Sequence, residues 1–210
     1  MKFPLCGNEN LQTNKFMETV YVKSRSEWRK WLEENFDKRS EIWLILPKKE
    51  SGKEKLEYNI SVEEALCFGW IDSTIKPFES DSNIQRFSKR KPKSGYSQLN
   101  RERLKWLLEN DMIHPSLLKE LNTIAMEEYI FPDDILQELH KDELIWKNYQ
   151  GFTDSYKRIR IAYIDTSRKL PGEFQKRLNH FLNKTRENKL ILAYGGSEKY
   201  YLPIFLALFF

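Results

Sequence analysis

The segment Ala65-Leu-Cys-Phe-Gly-Trp-Ile-Asp-Ser-Thr-Ile-Lys-Pro-Phe78, followed after a polar turn by Asn83-Ile-Gln-Arg-Phe87, settles the class of fold. A helix carrying Val62, Ala65, Leu66 and Phe68 ends near Gly69, a residue suited to the left-handed cap of a helix. Asp72–Phe78 and Asn83–Phe87 then read as two strands joined by the polar turn Glu79–Ser82. A helix that feeds a hairpin predicts an α+β unit.

Upstream, Ser61-Val-Glu-Glu64 reads as a capping box opening that helix. Ile42–Leu46 is a short continuous apolar run, best read as a buried strand, and Pro47 with a Lys-Lys-Glu-Ser-Gly turn ends it. A short strand is expected at Glu18–Lys23. The box Ser24-Arg-Ser-Glu27 then opens a helix in which Trp28, Trp31, Leu32 and Phe36 recur at helical spacing.

Downstream, Pro92 and Gly95 mark a loop. Ser97 can cap a helix whose buried stripe is Leu104, Leu107 and Leu108, and Pro115 breaks it. From Asp133 onward only helices are expected. One starts at Pro132-Asp-Asp134, with acids in the favourable first turn. The others are marked by Tyr156, Ile159 and Tyr163, and by Phe174, Leu178, Phe181 and Leu182. The boundary falls in Asn122–Phe131. The predicted architecture is therefore an α+β domain over residues 15–121, with a small, mostly antiparallel sheet flanked by helices. An all-helical region over residues 131–210 follows.

The 210 residues carry 31% charged side chains and a net charge of +4. Cys6 and Cys67 make no metal-type or redox-type spacing, so a reducing compartment fits and Cys67 is expected to be a small buried hydrophobe. Met1–Asn14 has no signal-peptide pattern. Tyr200–Phe210 is apolar but about half the length of a membrane span, so it is expected to dock as a terminal element or to meet a protein partner. A cytoplasmic location follows as the expectation. No phosphate-cradling loop, dinucleotide fingerprint or hydrolase nucleophile motif occurs, and Gly195-Gly196 reads as a turn. His114, His140 and His180 lack the one-turn pairing of a zinc helix, so neither metal nor cofactor is expected.

Three features bear on chemistry. In Leu66–Thr74 a helix ends at glycine, and an indole, a carboxylate and two hydroxyls follow. Asp72 and Ser73 could orient a polar ligand over Trp70. The simpler reading from spacing alone is that Trp70 packs in the core while Asp72 and Ser73 serve the chain reversal. Arg86–Lys105 holds eight cations against the single acid Glu102, with Phe87 and Tyr96 interleaved. Such a strip attracts phosphates and offers rings for bases to stack on, or is simply a solvated face. If the two features share a cleft, Arg86, Arg90 and Ser94 face an anion and Asp72 holds one of the arginines. The third is the basic run from Lys157 to Lys189, where acids are interspersed and a solvated surface is the simpler reading.

The residues Trp28-Arg-Lys-Trp31-Leu, Glu41-Ile-Trp43-Leu, Pro47-Lys-Lys, Ala65–Ser73, Arg86-Phe-Ser-Lys-Arg-Lys-Pro-Lys-Ser94 and Leu99-Asn100 resemble the bacterial YdeI/OmpD-associated family over about 16–116. Phe131-Pro-Asp-Asp134 and Tyr156-Lys-Arg-Ile-Arg-Ile-Ala-Tyr-Ile164 resemble that family's helical region. The chain departs from the family at Lys89 and Tyr96, where proline and tryptophan are usual, and at Leu170-Pro-Gly-Glu-Phe. The resemblance implies a part in bacteriocin protection or a stress response, with no settled activity. The leading expectation is a binding module for an anionic ligand, either a phosphate-containing small molecule or nucleic acid. It would use Trp70, Asp72, Ser73, Arg86, Arg90, Ser94 and Asn100. The alternatives are an enzyme with Asp72 as general base and arginines stabilising negative charge, and a structural or protein-interaction factor working through Tyr200–Phe210.

Overall fold

Ser24 begins the first helix as expected. Its hydroxyl accepts from the Glu27 amide at 3.3 Å, and the Glu27 carboxylate reaches back to the Lys23 amide at 2.9 Å. The computed structural model describes residues 17–91, 94–192 and 198–201. In chain order it begins with β1 (Thr19–Val20), α1 (Arg25–Asn35), β2 (Glu41–Pro47), α2 (Tyr58–Cys67), β3 (Trp70–Pro77), β4 (Ser82–Lys89), α3 (Gln98–Glu109) and α4 (Leu118–Ala125). It continues with α5 (Asp133–His140), α6 (Glu143–Gly151), α7 (Asp154–Asp165), α8 (Glu173–Arg186) and the single turn α9 (Glu198–Tyr201).

The sheet order is β1-β2-β4-β3. β2 with β4 and β4 with β3 are antiparallel, while β1 adds a parallel pair through Thr19↔Trp43 and Val20↔Leu44. The sheet is thus mixed, and the hairpin read from sequence forms one side of it, with β4 central and β3 at the edge. The β3–β4 register shifts between Asp72 and Ile75, an irregularity that re-aims side chains at the start of β3.

Alternation divides the sheet into two faces. Ile42, Leu44 and Phe87 point to the helices and join Trp28, Leu32, Val62, Leu66, Leu104 and Leu121 in one core. Trp43 and Arg86 are register partners and lie on the opposite face. A second core gathers Ile135, Leu139, Ile145, Tyr149, Tyr156, Ile159, Phe181 and Tyr200 from the helical half. Trp106 of α3 packs against both. Arg158 of α7 joins the halves by donating at 2.6 and 2.9 Å to the two oxygens of Glu102, a carboxylate buried on α3.

One expected cap is corrected. α2 starts at Tyr58 rather than at Ser61, whose hydroxyl donates back to the Tyr58 carbonyl at 2.7 Å. Ser61 is therefore inside the helix, and every residue from Ser61 to Phe68 is buried. Gly69, at φ +69°, ends the helix in the left-handed region, as its position in the sequence suggests. Ser97 caps α3 at 3.3 Å from the Asn100 amide, and Cys67 is a free, buried thiol. Cys6, Pro92, Gly195-Gly196 and most of Tyr200–Phe210 lie outside the described residues. Among the described residues, no helix is long and apolar enough to cross a membrane.

Candidate functional site

The hairpin ends where Arg90 leaves β4 and its amide donates to the Gly69 carbonyl at 3.2 Å. This bond sets the arginine beside the turn that closes α2. The guanidinium lies over the Tyr96 ring, 3.7 Å from its centre, and Nη2 donates to the Gly95 carbonyl at 2.5 Å. Nε is buried and has no hydrogen-bond partner among the described residues. Arg90 thus spends its donors on a carbonyl and a ring rather than on a carboxylate. Burial pulls its pKa below the ordinary arginine value, against the opposing influence of Tyr96 and Asp72. Burial likewise raises the Tyr96 hydroxyl, while the Arg90 charge lowers it.

A pocket of about 260 Å³ opens beside this pair. Gly69, Lys89, Arg90 and Tyr96 line it together with Phe36 and Phe68, and Asp37 and Glu120 bring negative charge. The Lys89 ammonium donates to the Asp37 carbonyl at 2.9 Å. The pocket therefore joins two cations, three aromatic rings and two acids within a small volume.

The other predicted site residues are distributed as follows. Trp70 is fully buried, with its ring edge-on to Trp31 and its N–H donating to the Phe36 carbonyl at 3.2 Å. Asp72 Oδ2 accepts from the Tyr58 hydroxyl at 2.7 Å and from Gln85 Nε2 at 3.1 Å. Asp72 is the register partner of Phe87 and so shares its face, whereas Arg86, one residue earlier on β4, points to the other. There Arg86 donates to Glu41 Oε2 through Nε at 3.2 Å and Nη2 at 2.5 Å. Ser73 is exposed on β3, and the Ser94 hydroxyl donates to the Lys91 carbonyl at 2.8 Å. Asn100 accepts from Arg103 at 2.8 Å. The structure does not bring Arg86, Ser94 and Arg90 round one point.

The cationic strip is likewise dispersed. Arg101 pairs with Glu127 at 2.6 Å, Arg103 donates to Asn59 and Asn100, and Lys105 approaches Glu102 at 3.5 Å. Among the described residues no group of three or more histidines, cysteines or acids is placed to hold a metal ion.

Sequence reasoning missed a second polar centre. Glu63 and Glu64 on α2 are both fully buried. Glu64 receives Arg25 at 2.5 Å and Arg29 at 3.0 Å, and Glu63 receives Arg25 at 3.0 Å, Lys199 at 2.5 Å and the Tyr200 hydroxyl. Charges this deep persist only when paired. The available signal was two adjacent acids in an otherwise apolar helix, with two arginines one turn apart on another.

The fold and site define an α+β sheet module, bearing a cationic and aromatic pocket, continued by a helical module. Residues 128–188, within the helical half, match the family described as "Bacteriocin-protection, YdeI or OmpD-Associated". Residues 20–120 match a separate family, described as a domain of unknown function (DUF8412). The match to this family thus lies in the helical half and not in Ala65–Asn100. No curated protein and no solved structure matches the chain.

Proposed function

We propose that the chain is a binding protein for a small anionic ligand, and that Arg90 takes the ligand's acid group in the pocket beside Gly69 and Tyr96. One observation carries this reading: Arg90 is partly desolvated, and among the described residues its Nε lacks a partner and no carboxylate is bonded to it. An oxyanion arriving there gains charge-assisted hydrogen bonds and offsets a burial cost the protein already bears. Lys89 adds a second positive charge, and Asp72 steadies Arg90 through its field. Asp37 and Glu120 at the same pocket repel further negative charge, which favours a ligand with a single acid group. Trp70, Arg86 and Asn100 support the frame, and Ser73 and Ser94 stand at its margin.

A small phosphate-bearing molecule is favoured over nucleic acid. Most cations of the Arg86–Lys105 strip already have partners, so they offer no continuous track for a backbone. The bacteriocin protection in the family's description would then work through such a ligand in the cytoplasm.

The test is a titration with inorganic phosphate, read by NMR shifts at Gly69, Arg90 and Tyr96. Saturable shifts at these residues are expected, with affinity falling about tenfold or more in Arg90→Met. Shifts elsewhere, or unchanged affinity in that variant, reject the reading. A short oligothymidylate that binds far more tightly, with steep loss in salt, would replace it by the nucleic-acid version.

A further inference from the structure

The basic run of the helical half is not simply a solvated face. Part of it lines a separate cavity of about 340 Å³ between α7, α8 and the segment ending at Leu192. We propose that this cavity is a second binding site, for an amphipathic small anion: one oxyanion head, carboxylate or phosphate ester, on a compact apolar body.

The polar wall supports the head. Arg177 lies over the Tyr163 ring, 4.0 Å from its centre, and its Nη1 donates to the Tyr163 carbonyl at 2.9 Å. These contacts fix the guanidinium plane, and its buried Nε has no hydrogen-bond partner among the described residues. Lys176 and His180 stand on the same helix face, one residue before and three after Arg177, and line the same cavity. The one acid among the described lining residues, Glu173, is shared between Lys176 at 3.3 Å and Arg177 at 3.7 Å. Arg160, which donates to the Ile191 carbonyl, lines the cavity as well, so three permanent cations and an imidazole share it with one carboxylate, leaving the wall short of negative charge.

The floor supports the body. Ile164 and Phe181 are buried side chains of the helical core and line the cavity, as does Ile191. A free inorganic anion would leave this apolar surface wet, and a neutral hydrocarbon would leave the Arg177 donor unused. Only a molecule with both parts meets both walls. The volume is at the small end for ligand pockets, which suits one aromatic ring system rather than a long chain or a polymer.

The site is independent of Arg90, so the two can fail separately. In the Arg90→Met background, the full chain is titrated with 1-naphthyl phosphate and followed by NMR. Saturable shifts at Ile164, Arg177 and Phe181 are expected. Inorganic phosphate and 1-naphthol should each bind about tenfold more weakly, since each meets one wall only. Arg177→Met should weaken the ester about tenfold or more. His180→Asp, at an exposed position that spares folding, should weaken it several-fold. The proposal is overturned by shifts confined to other regions, by 1-naphthol binding as tightly as its phosphate, or by unchanged affinity in both variants.

Discussion

The hydroxyl of Tyr200 donates to Oε1 of Glu63, a fully buried carboxylate 137 residues earlier in the chain. Lys199 contacts the same oxygen, and its ammonium also lies 3.9 Å from the centre of the Trp106 ring. The last described turn of the chain is thereby fastened to a helix of the sheet module through a single acid.

Removing the hydroxyl should therefore matter more than removing an exposed charge. Tyr200→Phe leaves Glu63 buried with one donor fewer, and should cost about 1–3 kcal/mol in urea unfolding. Lys199→Met should cost less, since that side chain is 35% exposed and water can partly replace it. Equal stability of Tyr200→Phe and the parent would show that the clasp adds nothing.

Gly69 joins the fold to the proposed anion pocket. Gly69→Ala places a side chain at φ +69°, a cost of about 1–2 kcal/mol. The new Cβ would sit 3.4 Å from Leu117 Cδ1, a contact the flexible leucine end can accommodate. The Gly69 carbonyl holds the Arg90 amide, so phosphate affinity should fall alongside stability. Loss of stability with unchanged affinity would separate the turn from the site.

The protein should weaken in alkali, beginning with Cys67. Burial, reinforced by the Glu64 charge, raises this thiol from about 9 to about 12, with Arg29 opposing. The folded state then keeps a proton that the unfolded chain releases. Stability is full below about pH 9 and is lost as pH rises toward 12, by roughly 1.4 kcal/mol per pH unit for this group. Tyr129, raised to about 12 by burial, adds its own loss above pH 10. Urea unfolding of Cys67→Ala between pH 9 and 10 should show a flatter decline than the parent. Parallel slopes would exclude the thiol.

The hairpin and β2 were legible because apolar runs bounded by polar turns leave few alternatives. Ser24 and Ser97 were legible because each cap is satisfied locally, by an amide three residues on. Ser61 misled because the same local pattern sits within a helix that tertiary burial extends back to Tyr58. α6 escaped notice, although Asp142 caps it through the Leu144 and Ile145 amides at 3.0 Å. At the candidate site, charge composition pointed to Arg90, and the interleaved aromatics included Tyr96. Phe36, Phe68 and Glu120 arrive from three other elements, and nothing in their local sequence marks them as its neighbours. Arg86 looked equivalent to Arg90 until strand alternation placed it against Glu41 on the far face.

Glu63 and Glu64 are consecutive residues, yet they answer to opposite ends of the described chain. Glu64 holds α1, while Glu63 holds Lys199 and Tyr200 as well as Arg25. Sequence drift at the two ends is therefore not independent. A change that loosens Arg25 alters what a later change at Tyr200 does, because both act on one turn of α2. The segments most free to vary in an ordinary domain are here bound by epistasis.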